Sequence, residues 1–213
     1  MKIIGLTGGI ATGKSTVSSI LKDLDIQVID ADTVARELSK KGNKVWSAIY
    51  DNFGSKFFLQ NGELDRGALG ELVFSNCDVR DKLNKLTHPI IQAEILTLLQ
   101  ELKKKSDPAF VTIDVPLLIE SGWSSIVDEV WVVAVPRDLQ LQRLMQRDGF
   151  TREQAELRIN SQMSLEDKCD LADKIIDNSS SIEYTKEQIL DILKNYETRE
   201  DIGWINQKGR NLQ

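Results

Sequence analysis

Short apolar runs and longer amphipathic stretches alternate along the chain. Residues 2–6 form an apolar run that stops at glycines, which is typical of a buried strand. From Lys14 onward the apolar residues recur at helical spacing and lie on one helix face, with Val17, Ile20, Leu21 and Leu24 in the series. A second strand is predicted at residues 27–29, and it ends at the acidic segment 30–32.

Residues 33–100 carry apolar stripes at helical spacing and predict several helices in succession. This stretch is too long for one crossover connection, so we expect an inserted helical subdomain. Two continuous apolar runs, residues 110–113 and 130–135, predict central strands of a parallel sheet. A helix, a short strand at 174–176 and a last helix follow. Strands that alternate with helices predict a doubly wound parallel α/β sheet.

One glycine-rich segment lies between the first strand and the first helix. Residues 8–15 read GGIATGKS and fit the pattern GxxxxGK[ST]. In this setting backbone N–H groups surround phosphate oxygens, and the helix N-terminus adds partial positive charge. Lys14 would bridge the terminal phosphates of ATP, and Ser15 would offer its hydroxyl to Mg²⁺. The residues expected around the phosphates are Gly8, Gly9, Ala11, Thr12, Gly13, Lys14, Ser15 and Thr16.

Acidic side chains follow two of the predicted strands. Ligands of doubly wound sheets bind at the carboxyl ends of the strands, so these positions are candidates for chemistry. We expect Asp32 to accept or orient a hydroxyl proton, and Asp114 to lie near the metal in the manner of a Walker B aspartate. The alternative for Asp32 is that it only caps the next helix.

Arginines are concentrated after the 130–135 strand. Arg143 and Arg147 share a helix face at i, i+4 spacing, and Arg152 and Arg158 follow in a polar stretch. Cations must converge on a phosphoryl group in transfer, and a closing segment would also exclude water from ATP. The alternative is a solvated helix whose arginines pair with neighbouring acids.

Composition narrows the classes of function. The 213 residues carry a net charge of −6 with basic residues scattered, which argues against binding a nucleic-acid backbone. Cys77 and Cys169 lie far apart, and we expect two reduced thiols. The chain begins directly with a strand and no apolar run approaches the length of a membrane span, so we expect a cytoplasmic protein that binds no membrane.

Two fragments resemble GTPase motifs but fail on context. Residues 51–54 resemble DxxG, yet Asp51 follows a helical pattern rather than a strand. Asn84-Lys85 resembles the start of NKxD but lacks the aspartate that reads guanine. A P-loop kinase is therefore the leading hypothesis. Another nucleoside or metabolite kinase, and a non-enzymatic nucleotide-binding switch, stay open as alternatives.

An ordered series of segments resembles the dephospho-coenzyme A kinase family and covers roughly residues 2–180. The segments are GLTGGI before GKST, VIDAD at 28–32, NGELDR at 61–66, THP at 87–89, DVPLLIE at 114–120 and DN at 177–178. The resemblance implies ATP-dependent phosphorylation of the ribose 3′-hydroxyl of dephospho-coenzyme A. The implied ligands are ATP, Mg²⁺ as Mg-ATP, and dephospho-coenzyme A.

The resemblance also implies roles for individual positions and for regions. By position, Asp32 would be the catalytic base, acting with Lys14 and Arg143. Arg143 and Arg147 would face the phosphates, and Asn178 would lie near the adenine of ATP. Arg36 and His88 would lie toward the acceptor. We predict a nucleotide-binding core at approximately 1–32, 107–147 and 171–196, a helical substrate-binding insertion at 33–106, and a lid at 148–170.

The phosphate loop itself departs from the family pattern. The family usually has Gly-Ser where this chain has Ala11-Thr12. A residue with a Cβ resists positive φ, so Ala11 would strain the loop if this position is left-handed. Residues 197–213 are polar and predict a loosely held end.

Overall fold

The computed structural model describes the backbone of residues 1–197 and the side chains of all of these except residues 74, 75 and 197. The predicted loose end, residues 197–213, therefore lies outside the described residues apart from the backbone of its first residue. Within the described part, no helix is long and apolar enough to cross a membrane.

The strands form one five-stranded sheet in the order β2-β3-β1-β4-β5. They are β1 (Lys2–Gly8), β2 (Gln27–Asp30), β3 (Phe110–Asp114), β4 (Glu129–Ala134) and β5 (Lys174–Asp177). β1 pairs in parallel with β3 and β4, and β4 pairs in parallel with β5. The prediction of a doubly wound parallel sheet is confirmed.

Helices connect the strands and form most of the segment between β2 and β3. They are α1 (Lys14–Asp23), α2 (Ala31–Leu38), α3 (Lys44–Phe53), α4 (Arg66–Ser75), α5 (Cys77–Lys105), α6 (Arg137–Asp148), α7 (Arg152–Asn160), α8 (Leu165–Asp170) and α9 (Ile182–Glu197). Short 3₁₀ turns lie at Ser55–Phe57 and Trp123–Ile126.

The main core lies between the sheet and helices α1 and α9. The predicted apolar face of α1 is buried there against β1, β4, β5 and α9. Trp131 is fully buried in β4. A second cluster joins α6 to α7 through Leu141, Leu144, Ala155 and Ile159. These contacts fix the elements that carry the phosphate loop and the arginines.

The chain divides into two compact units. The first comprises Met1–Val28 and the chain from Pro108 onward, and the second comprises Ile29–Asp107. In the second unit, α5 packs against α2, α3 and α4. Its buried positions follow i, i+4 spacing, with Thr87, Ile91, Ile95 and Leu99 along one stripe. Pro89 lies inside this 29-residue helix.

The polar stretch 148–170 contains two short helices in the structure, α7 and α8. α7 begins with a capping box, in which the Thr151 side chain accepts from the N–H of Gln154 and the Gln154 side chain accepts from the N–H of Thr151. α8 packs against β4. The division into core, insertion and lid stays a prediction about function.

Candidate active site

The phosphate loop runs from the end of β1 to the start of α1, as its sequence pattern requires. Gly8 is the last residue of β1, and Lys14 is the first residue of α1. Gly13 has a φ of 86°, and a Cβ added there would lie 2.0 Å from Nδ2 of Asn178. Only glycine fits this position, because both the backbone conformation and the close neighbour exclude a side chain.

Ala11 also adopts a left-handed conformation, with a φ of 60°. A residue with a Cβ is disfavoured there by about 1–2 kcal/mol relative to the right-handed region. The strain that the sequence predicts for a left-handed Ala11 is therefore present. The loop must be held in this shape by contacts with its surroundings.

A cavity of about 490 Å³ opens over the loop. It is lined by Gly8, Gly9, Ile10, Ala11, Gly13, Lys14, Ser15, Pro116, Arg143, Arg147 and Gln162. Most of the loop residues predicted to bind ATP thus share one cavity with both predicted arginines. Thr12 is instead fully buried, and its hydroxyl donates to the carbonyl of Gly9 at 2.9 Å.

Asp114 ends β3 beside β1 and is 7% exposed. Its carboxylate accepts hydrogen bonds from the Lys14 ammonium and from the Ser18 hydroxyl. Ser15, the other predicted metal ligand, is exposed at the first turn of α1. A carboxylate and a hydroxyl are hard oxygen donors of the kind that Mg²⁺ takes, so these two residues fit the ion chemically. Among the side chains that the structure describes, no cluster of three or more His, Cys, Asp or Glu residues could hold a metal.

Of the two arginines of α6 that were predicted to face the phosphates, Arg147 pairs with a neighbouring acid. Arg147 donates from Nε and Nη2 to the two carboxylate oxygens of Asp148 at 2.8 and 2.9 Å. These hydrogen bonds raise the pKa of Arg147 and lower the pKa of Asp148. Arg152, farther along, forms an exposed i, i+4 pair with Glu156 at 2.9 Å. Arg147 and Arg152 thus both pair with neighbouring acids, as the solvated-helix alternative expects, while Arg143 and Arg147 also line the cavity.

The predicted acceptor-side residues all lie in the helical unit. Asp30 caps α2, because its side chain accepts from the N–H groups of Asp32 and Thr33 at 2.9 and 3.2 Å. The capping role considered for Asp32 therefore belongs to Asp30, and Asp32 lies exposed in the first turn. Arg36 lies exposed in α2, and its carbonyl accepts from Nη2 of Arg66 at 3.2 Å.

His88 lies partly buried in α5, and burial lowers its pKa. Asn178 lies directly after β5 and is 6% exposed. Its amide nitrogen donates to the carbonyl of Thr12 at 2.8 Å, so it supports the loop backbone. Contact of Asn178 with adenine, and of His88 with the acceptor, stay predictions.

Buried polar residues around the site escaped the sequence reasoning. Lys168 is fully buried and pairs with Glu120 at 2.7 Å, while its ammonium also donates to the carbonyl of Pro116 at 3.3 Å. Gln140 is 1% exposed and contacts the loop. A lysine and a glutamine in charged helical stretches look solvated in sequence, because their partners are distant in the chain. The one sequence signal was Glu120, the partner of Lys168, because it ends the DVPLLIE segment of residues 114–120.

Comparison with known proteins gives a consistent result. A family model described as dephospho-CoA kinase matches residues 2–184. A dephospho-CoA kinase of Carboxydothermus hydrogenoformans is 47% identical over 200 residues, which cover 94% of this chain and 97% of that protein. A dephospho-CoA kinase of Bacillus cereus is 47% identical over 194 residues, with 91% and 96% covered.

Solved structures agree with these sequence matches. A dephospho-CoA kinase from Campylobacter jejuni superposes with a TM-score of 0.68 at 32% identity, covering 93% of this chain and 98% of that one. A crystal structure from Thermus thermophilus superposes with a TM-score of 0.76 at 30% identity, covering 92% and 97%.

Proposed function

The chain belongs to the dephospho-CoA kinase family, and we infer that it is an enzyme that phosphorylates dephospho-coenzyme A in the biosynthesis of coenzyme A. We propose that ATP is the donor and that the ribose 3′-hydroxyl is the acceptor. The observation that carries the donor half is the cavity that joins the phosphate loop to Arg143 and Arg147.

The donor half of the reaction uses fixed positive charge. Backbone N–H groups of the loop would hold the phosphate oxygens, and the α1 N-terminus would add its partial charge. Lys14, which contacts Asp114, would turn its ammonium to the terminal phosphates when ATP binds. Arg143 and Arg147 would stabilise the charge that spreads over the transferring group. Mg²⁺, held by Ser15 and Asp114, would neutralise phosphate charge.

The acceptor half would depend on Asp32. Its carboxylate takes the proton of the acceptor hydroxyl while the oxygen attacks the terminal phosphorus and the bond to ADP breaks. Asp32 suits this role because it is exposed and the helix cap is supplied by Asp30. We propose that Arg36 and His88 contact dephospho-coenzyme A. The predicted core, insertion and lid, and a cytoplasmic location, belong to the same proposal.

The first experiment tests the substrate. The protein is incubated with Mg-ATP and dephospho-coenzyme A, and the product is identified by mass and by the phosphorus–proton coupling of the ribose 3′ position. Lys14→Ala is the control for background transfer. We expect coenzyme A, with no transfer to nucleoside monophosphates or shikimate. An absence of coenzyme A above the control would remove this acceptor, and transfer to another member of the panel would favour a different metabolite kinase.

A second experiment tests Asp32. The Asp32→Asn variant keeps the shape of the side chain but removes a base, which contributes about 10²–10⁴-fold in positioned proton transfers. We expect turnover to fall by about that factor while calorimetry shows unchanged ATP affinity. A near-normal rate would exclude Asp32 as the catalytic base.

A further inference from the structure

We propose that Gln140, Gln162 and Asn178 are positioning residues that hold the strained Ala11 turn of the phosphate loop in its ATP-binding shape. The inference rests on the proposed use of this loop for ATP, and it does not depend on which acceptor is phosphorylated. None of the three needs to touch ATP for the argument to hold, since each acts through the loop backbone.

Two glutamines hold the backbone groups of Ile10, directly before Ala11. Nε2 of Gln140, in α6, donates to the carbonyl of Ile10 at 2.8 Å. Oε1 of Gln162, in the segment after α7, accepts from the N–H of Ile10 at 3.1 Å. Both polar backbone groups of this residue are therefore fixed by side chains more than a hundred positions away.

Asn178 holds the backbone directly after Ala11. Its Nδ2 donates to the carbonyl of Thr12 at 2.8 Å, and its Oδ1 accepts from the hydroxyl of Thr185 at 3.0 Å. Thr185 is fully buried in α9, so the amide cannot turn without breaking both bonds. The strained residue is thus fixed on each side by a buried amide.

One amide atom of Gln140 is hydrogen-bonded and the other is not, and this favours a functional role for the residue over a role in packing. Among the described residues, its Oε1 is buried without a hydrogen-bond partner, while Nε2 is bonded to the loop. A buried acceptor without a partner costs stability, so packing alone would favour an apolar side chain here. Gln140 donates a hydrogen bond to the carbonyl of Ile10, and a methionine at this position would not.

Loss of a brace would act on ATP through the direction of backbone N–H groups. Ala11 disfavours its own φ of 60°, so an unbraced loop would relax toward negative φ. That relaxation would change the direction of the peptide groups on either side of Ala11, and with it their fit to the phosphate oxygens. Glycine at position 11 adopts positive φ without this penalty and needs the braces less.

The test is a double-mutant cycle between Gln140→Met and Ala11→Gly, read as the ATP dissociation constant by calorimetry. With Ala11 present we expect Gln140→Met to weaken ATP binding by about tenfold, the scale of one lost hydrogen bond. In the Ala11→Gly background we expect about threefold or less, because glycine tolerates the left-handed turn. Thermal stability should change little with Gln140→Met, because the loss of the bond to Ile10 is offset by removal of the unpaired Oε1, and the KM for dephospho-coenzyme A should not change.

A matched control and a second variant complete the test. Asn195→Leu also removes a side-chain hydrogen bond to a backbone carbonyl, the one from Nδ2 of Asn195 to Asp191 in α9, and should leave ATP binding unchanged. Gln162→Met, at a less buried position, repeats the cycle if the Gln140 variant fails to fold. Equal losses of affinity in the wild-type and Ala11→Gly backgrounds would overturn the proposal. So would a loss of ATP affinity that only follows a loss of stability.

Discussion

The phosphate loop and the helical unit of residues 29–107 use their amino acids in opposite ways. In the loop, backbone atoms form the site and buried polar side chains fix their direction, as Gln140 and Asn178 do. In the helical unit, apolar side chains of successive helices pack against α5 along an i, i+4 stripe. Phosphate binding by the loop therefore depends on the positions of a few atoms. The stability of the helical unit depends instead on the sum of many buried contacts.

The cavities of the two regions show the same contrast. The helical unit contains a cavity of about 250 Å³ whose lining is largely apolar, with Arg66 as its charged member. The cavity over the loop is lined by glycines, Lys14, Ser15, Arg143 and Arg147. A substitution in the loop should therefore lower activity with little loss of unfolding free energy. A substitution in the buried part of the helical unit should lower the unfolding free energy with little change in ATP affinity.

The largest effect is expected for Lys14→Met. The substitution keeps most of the aliphatic stem but removes the charge that would stabilise the transferring phosphoryl group, so we expect kcat/KM to fall by about 10³-fold. Steady-state kinetics with ATP and dephospho-coenzyme A measure this loss. Urea denaturation should show a smaller loss of free energy than the kinetics do, because the Lys14 side chain is 20% exposed and Asp114 keeps its hydrogen bond from the Ser18 hydroxyl.

Lys22→Met is the matched control, since Lys22 lies in the last turn of the same helix, away from the loop. It should leave kcat/KM unchanged. Two results would contradict the view that activity depends on a few atoms of the loop: unfolding of the Lys14→Met protein, or retention of more than about a tenth of the activity.

A free-energy effect of similar or smaller size, on stability rather than on activity, is expected for Ile95→Ala. Ile95 is fully buried in the α5 stripe, and truncation to alanine leaves a cavity that destabilises by about 2–5 kcal/mol in comparable cores. Urea denaturation measures the loss, and Ile95→Val should lose about 1 kcal/mol. Calorimetry below the unfolding transition should show unchanged ATP affinity, since the loop belongs to the other unit. A parallel loss of ATP affinity would show that the two regions are not separable.

The sequence predicted the shape of the phosphate loop but not the side chains that hold it, and the reason is physical. The phosphate loop was readable because Gly8, Gly13 and the change from strand to helix are local signals in the sequence. The strain at Ala11 was predicted on the condition that this position is left-handed, and the observed φ of 60° meets that condition. The braces were not readable, because the burial of Gln140 depends on a partner 130 positions away in the chain.

In the helical unit, the apolar stripes predicted helices but not their bounds. Stripes on both sides of Pro89 belong to one continuous α5, and spacing alone does not show this. Asp30 and Asp32 are both able to cap α2, and only the backbone shows that Asp30 does so. The roles of Asp32, Arg36 and His88 stay predictions, because they depend on a ligand rather than on the fold.

The smallest effect concerns the pH dependence of the helical unit. Burial lowers the pKa of His88 below its ordinary value of about 6.5. The unfolded chain therefore binds a proton at a higher pH than the folded chain does, and stability falls as the pH drops below about 6.5. We expect wild type to lose more unfolding free energy between pH 7.5 and pH 5.5 than His88→Gln does, as measured by urea denaturation.

The His88→Gln variant serves as the control because glutamine cannot take up the proton, so the pH dependence of all other groups is common to both proteins. The stability difference between the two proteins should shrink or change sign toward low pH. A difference that is the same at both pH values would mean that His88 titrates alike in the folded and unfolded chains. In that case the burial of His88 would carry no pH-dependent stability, and the helical unit would depend on its apolar contacts alone.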